Sequence, residues 1–148
     1  EAATTELSRY GDRVSQIDFD MFSSDLPQDI GKFDAVVSGF AIHHGRDLMQ
    51  YKSLYRRIHS FLKQGGIFVN LDHVAGEDRA QTIENATEWR DFLDEDGEIE
   101  SDKFIYGSYV KDTPISLRNH VQLLGEVGFE QIEIPWQKMI FALYTGRA

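Results

Sequence analysis

The sequence predicts an α/β protein built on an open, mostly parallel sheet that ends in an antiparallel C-terminal hairpin. Three observations predict it. A short, nearly continuous apolar run at residues 33–38 leads into small residues and the paired His43 and His44, as expected of a strand with both faces covered. An amphipathic stretch and a second apolar run after Gly65 and Gly66 follow, completing a βαβ unit whose strands must be parallel with a right-handed crossover. Finally, residues 131–136 and 138–145 are two strand-like runs joined too tightly for a helical crossover. They must therefore pair antiparallel.

Each element has a local cause. Residues 1–10 carry helix formers with Ala2, Ala3 and Leu7 as the apolar positions, and Gly11-Asp12 marks a stop. Val14, Ile17 and Phe19 alternate imperfectly, which predicts a strand over 13–22 ending near Asp18 to Asp20. Pro27 and Gly31 break the chain before the 33–38 strand. Asp47 is placed to cap a helix in which Leu48, Tyr51, Leu54, Tyr55, Ile58, Phe61 and Leu62 recur at helical spacing. Gly65-Gly66 is expected to end that helix, with a strand over 67–74. A helix is predicted over 78–93, with Ile83, Ala86, Trp89 and Leu93 near one side. An acidic break follows, then an aromatic stretch of ambiguous type at 103–110. Ser116 is placed to cap a last helix running to Glu126 and stopped by Gly128.

Composition narrows the function classes. A chain of 148 residues suits one domain with a real core. The net charge of −10 disfavours a nucleic-acid surface, which needs a Lys/Arg excess. The absence of cysteine removes disulfides, thiolate nucleophiles and cysteine–zinc sites, and suits a cytoplasmic protein. No apolar run approaches the roughly 18–20 residues that span a bilayer, so no membrane partner is expected. His43 and His44 are adjacent, and residues so placed on a helix diverge by about 100°, which argues against one metal held by both. His59, His73 and His120 add no recognised ligand spacing.

Several ordered blocks resemble the C-terminal two-thirds of the class I S-adenosylmethionine-dependent methyltransferases of the small-molecule type. Phe33-Asp34-Ala35-Val36-Val37-Ser38 with Ile42-His43-His44 is similar to that family's fourth strand and following loop. Leu54 to Ile58 and Phe61-Leu62-Lys63-Gln64-Gly65-Gly66-Ile67-Phe68 are similar to its fourth helix and fifth strand. Leu123 to Phe129 resembles the helix end before the sixth strand, and Phe141-Ala142-Leu143-Tyr144 the reversed last strand. Gly11-Asp12-Arg13-Val14 leading to Asp20 resembles the entry to the third strand. The resemblance implies a partial Rossmann-like, three-layer sheet without the family's first two strands and glycine-rich loop. It treats residues 1–148 as one incomplete domain, a fragment, with a helical and aromatic lid insert at about 76–114. Without the first strand, the 33–38 strand is left with an open apolar edge, which favours pairing of two chains.

The resemblance also assigns candidate residues. Asp20 and Met21 fall near the adenine of S-adenosylmethionine, and Ser38, Gly39 and Phe40 line its amino-acid and sulfonium end. Small residues at a strand end suit close backbone approach to a ligand. His43 and His44 are the catalytic candidates, one facing the site mouth and the other fixing the loop. A neutral imidazole there can accept a proton from a nucleophilic acceptor. Asp72 and His73 end the next strand over the substrate side, with Asp72 placed to hold a cationic acceptor. Trp89, Phe92, Phe104, Tyr106 and Tyr109 form the aromatic lid. The expected reaction is methyl transfer to a small-molecule acceptor, with no metal. The rival expectation is a domain unable to bind cofactor that self-associates or binds a partner through its open sheet edge. A nucleotide-dependent dehydrogenase needs the same missing glycine-rich turn, and a metal hydrolase needs ligands that the histidine spacing does not supply.

Overall fold

The computed structural model describes residues 6–23, 30–94 and 114–148. Four strands and three α-helices follow in the order β1 (Phe33–Gly39), α1 (Leu48–Phe61), β2 (Leu62–His73), α2 (Arg79–Leu93), α3 (Leu117–Glu126), β3 (Glu130–Lys138) and β4 (Phe141–Arg147). The sheet order is β1-β2-β4-β3. β1 and β2 are parallel, and β4 is antiparallel to both β2 and β3. Three strands thus run one way and only β4 is reversed, as the terminal hairpin predicts.

The helix caps follow the sequence closely. Asp47 accepts from the Gln50 amide at 2.9 Å, Asp78 from Gln81 at 2.9 Å, and Ser116 from Asn119 at 3.3 Å. Each satisfies a backbone donor that the first helical turn leaves unpaired.

The sheet has one closed face. On β2, Phe68, Asn70 and Asp72 point inward at strand period, and Ala142 and Tyr144 continue that face on β4. Helices α1 and α3 cover it through Tyr51, Leu54, Tyr55, Leu123 and Leu124. The opposite face meets α2 at its Phe141 end, where the Trp89 and Phe141 rings lie 4.8 Å apart. Ala86 is the buried position of α2, while Ile83 and Leu93 are exposed.

Three expectations need correction. Residues 14–20 form no strand, and Ile17 and Phe19 are exposed. A strand is held by its neighbour's backbone groups, and this segment has no ladder partner among the described residues. Helix α1 ends at Phe61 rather than at the glycines, and β2 begins at Leu62. Gly65 and Gly66 instead make a tight passage inside that span. Gly65 has φ +74, and a Cβ on Gly66 would sit 2.9 Å from the Lys63 carbonyl oxygen and 3.1 Å from that of Asp34. The hairpin turn lies at Met139-Ile140, so Gln137 belongs to β3 rather than to a break. The lid aromatics Phe104, Tyr106 and Tyr109 lie outside the described residues.

Among the described residues β1 pairs with β2 alone. Its Val37 is 73% exposed, so the described residues do not supply the expected cover on both faces. No described helix is long and apolar enough to cross a membrane.

Candidate functional site

The C-terminal ends of β1 and β2 lie side by side, with Ser38 opposite Asn70 and Gly39 opposite Leu71. In a parallel α/β sheet this is the edge where ligands bind. The short helical turn Ile42–His44 folds back over it. What anchors that turn is Asp72, which is fully buried. Its carboxylate takes the amides of Ile42 at 2.8 Å and His43 at 3.2 Å, the His43 Nδ1 at 2.5 Å, and its neighbour His73's amide at 2.9 Å. The Asn70 side-chain amide adds a longer contact at 3.4 Å. Burial raises the Asp72 pKa. The His43 hydrogen bond and charge, then the His73 amide and Asn70, outweigh burial and hold the carboxyl below its ordinary value.

This arrangement separates the two histidines that sequence left equivalent. His43 is buried at 6% exposure and oriented by Asp72, while the Tyr51 hydroxyl donates to its carbonyl at 3.1 Å. His44 is exposed, its ring 4.0 Å from that of His43. An ionised carboxylate only accepts, so His43 Nδ1 carries the proton toward Asp72 and Nε2 is the ring nitrogen that Asp72 leaves unengaged.

The placement of Asp72 corrects its assignment. It is not over the substrate side; it lies beneath His43, with its oxygens engaged by protein nitrogens. A carboxylate so enclosed orients an imidazole and has no face to offer a cationic acceptor. His73 does reach the site edge: it stacks on His43 at 4.7 Å and 26°.

Two grooves flank the strand ends. One, about 450 Å³, runs along β1's open side and is lined by Met21, Val36, Ser38, Gly39 and Ile42 among others. Ser38 Oγ is buried there without a hydrogen-bond partner. The other, about 360 Å³, lies between α2 and the hairpin and is lined by Phe40, Leu71, Trp89, Phe92, Trp136, Lys138, Met139 and Phe141. Phe40 therefore parts from Ser38 and Gly39. Its φ of +52° is a left-handed conformation that costs a non-glycine residue about 1–3 kcal/mol. That turn carries its ring to His73 at 5.7 Å and Phe141 at 5.8 Å. Asp20 does not line either groove; it closes a turn by accepting from the Phe22 amide at 2.8 Å. Met21 lines the first groove, and its carbonyl is held by Arg57 at 2.9 Å.

A polar network behind the site went unread in the sequence. Asn70 donates to the Tyr144 hydroxyl at 2.7 Å, Tyr144 meets Tyr55 at 2.9 Å, and Tyr55 meets His120 Nδ1 at 2.5 Å. Burial pushes the His120 pKa down to about 3, against a raising influence from Asp72, and pushes both phenols up. The signal was present in Asn70-Leu-Asp72: two polar residues on the same inward face of a strand that is otherwise apolar there. Among the described residues no group of three potential metal ligands converges.

Comparison with solved structures places this architecture. An O-methyltransferase family protein from Burkholderia thailandensis superposes with TM-score 0.68 at 13% identity, over 99% of this chain and 40% of that one. PigF with S-adenosylhomocysteine gives 0.65 at 20% identity, over 98% and 39%. Human N-acetylserotonin methyltransferase in complex with S-adenosylmethionine gives 0.57 at 16% identity, over 88% and 32%. The chain has the class I methyltransferase fold and spans well under half the length of these proteins. No protein-family model matches the sequence, nor does any curated protein.

Proposed function

We propose that this chain supplies the acceptor side and one cofactor wall of an S-adenosylmethionine-dependent methyl transfer to a small molecule. The observation that carries the proposal is the Asp72–His43 pair at the strand ends, whose chain neighbours Ile42 and Leu71 line the two grooves. The first groove fits one side of the cofactor: Ser38 Oγ is buried without a partner, and Gly39 has no atom closer than 4.0 Å to a built Cβ. Ser38, Gly39 and Met21 would hold the cofactor there. When bound, it supplies a sulfonium-activated methyl group and leaves as S-adenosylhomocysteine.

The chain's own residues supply position and a proton acceptor. Asp72 fixes the imidazole with Nδ1 protonated. His43 Nε2 takes the proton that the acceptor's hydroxyl or amine loses as it gains the methyl group. Phe40, Trp89 and Phe141 exclude water from the acceptor side. His44, being exposed, serves the rim of the turn rather than proton transfer.

Calorimetric titration with S-adenosylhomocysteine tests this. Saturable binding, weakened by Gly39→Val, is expected. A second reading has support in β1's open edge, where Val37 is exposed and no strand among the described residues pairs on the outer side. In that reading the domain binds no cofactor and self-associates. Absence of binding heat, with a mass that rises with concentration in light scattering, would establish it instead.

A further inference from the structure

We propose that the aromatic pocket between α2 and the hairpin takes a planar aromatic acid, with its carboxylate paired to Lys138. This deepens the methyl-transfer proposal by naming its acceptor class, and its identification as an acceptor site rests on that proposal.

The walls select for a flat ring. Trp89 and Phe92 stack at 5.5 Å and 17°, and Phe141 meets Trp89 edge-on at 90°. Trp136 and Leu71 complete the apolar lining. At about 360 Å³ the space lies near the lower end of small-molecule sites, enough for a compact ring system. Aromatic pairs favour such offset and edge-on contacts beyond the area they bury.

Among the described residues, Lys138 is the one charged residue in this lining. Its Nζ stands 5.8 Å from the Phe92 ring centre. The chain carries 25 acidic residues against 15 basic ones. Like most of the described basic residues, Lys138 makes no ion pair among the described residues; Lys52, Lys63, Arg90 and Arg118 do. An ammonium on the rim of an apolar pocket attracts an anion and repels a cationic acceptor. A neutral ring would use the walls and leave the lysine idle.

The pocket also adjoins the proposed base. Phe141 meets His73 at 4.9 Å, and His73 stacks on His43. A ring packed on Phe141 is thus linked to His43 through His73.

Calorimetric titration of the chain with hydroxynaphthoate and with hydroxynaphthamide is the test. The acid should bind about fivefold more tightly than the amide, the upper range of a partly exposed ion pair. Lys138→Met should abolish that preference without weakening the amide, and Lys138→Arg should keep it. Both tryptophans of the chain, Trp89 and Trp136, line the pocket, so quenching of their emission locates the ligand. Equal affinity for acid and amide, a preference that survives Lys138→Met, or no binding of either would overturn the proposal. Acid-selective binding without methyl transfer would leave the Lys138 site standing and count against the transferase. Transfer to acid and amide at equal kcat/KM would do the reverse.

Discussion

The inner face of the sheet at its strand ends and the free edge of β1 belong to one sheet, yet they are built on opposite principles. On the inner face, Asp72, Asn70 and His120 are buried polar groups tied into hydrogen bonds with His43, Tyr144 and Tyr55. On the free edge, apolar Phe33 and Val37 face outward. Polar inside and apolar outside inverts the usual pattern, and both inversions cost stability. The inner cost is offset at Asp72, whose carboxylate is fully engaged, and in part at Asn70 and His120, whose Oδ1 and Nε2 have no partner among the described residues. The outer cost has no offset among the described residues. The His43–Asp72 pair is thus preorganised within this chain, while the groove along β1 is left open among the described residues.

The largest effect should come from breaking the inner face. Asp72→Ala strips the His43 ring and three backbone amides of their acceptor and should destabilise the fold by about 3–5 kcal/mol, read from the urea midpoint. A pH effect comes next. His120 has a folded pKa near 3 against an ordinary 6.5, so the unfolded chain binds a proton that the folded chain refuses. Its contribution is present above pH 6.5 and is lost as pH falls toward 3. Stability should therefore decline on acidification through that window, and His120→Gln should flatten the slope. The depressed Asp72 pKa adds a loss of the same sign below its ordinary 3.8. Tyr144→Phe removes the hydroxyl shared by Asn70 and Tyr55 and should cost about 1–3 kcal/mol. The smallest stability effect belongs to the edge: Val37→Lys should shift stability by no more than about 0.5 kcal/mol. Where self-association occurs, the same change should lower the concentration dependence of the light-scattering mass.

The periodic elements were legible because local chemistry specifies them. Asp47, Asp78 and Ser116 begin helices where capping residues should, and the tight C-terminal connection dictated an antiparallel pair. The expected strand over 13–22 failed because alternation describes a side-chain pattern, whereas a strand also needs a neighbour. The glycine pair misled because glycine after a helical pattern reads as a stop, while here it serves a close passage beside Asp34. In the candidate site, His43, His73, Ser38, Gly39 and Trp89 were expected from the sequence because they lie at strand ends or within the 76–114 stretch. Asp72 was found with the wrong orientation, since a strand-end carboxylate reads as exposed until the Ile42–His44 turn is folded over it. Phe141, Trp136 and Lys138 were missed because only the hairpin's three-dimensional placement brings them to Trp89.

The central claim is that His43, held by buried Asp72, accepts the acceptor's proton during methyl transfer. Transfer of labelled methyl from S-adenosylmethionine to hydroxynaphthoate, compared between the wild-type chain and His43→Gln, tests it most directly. The account predicts a rate lower by about 10²–10⁴ in the variant, with S-adenosylhomocysteine affinity unchanged. Equal rates in the two proteins, or no transfer by a wild-type chain that binds both ligands, would contradict it.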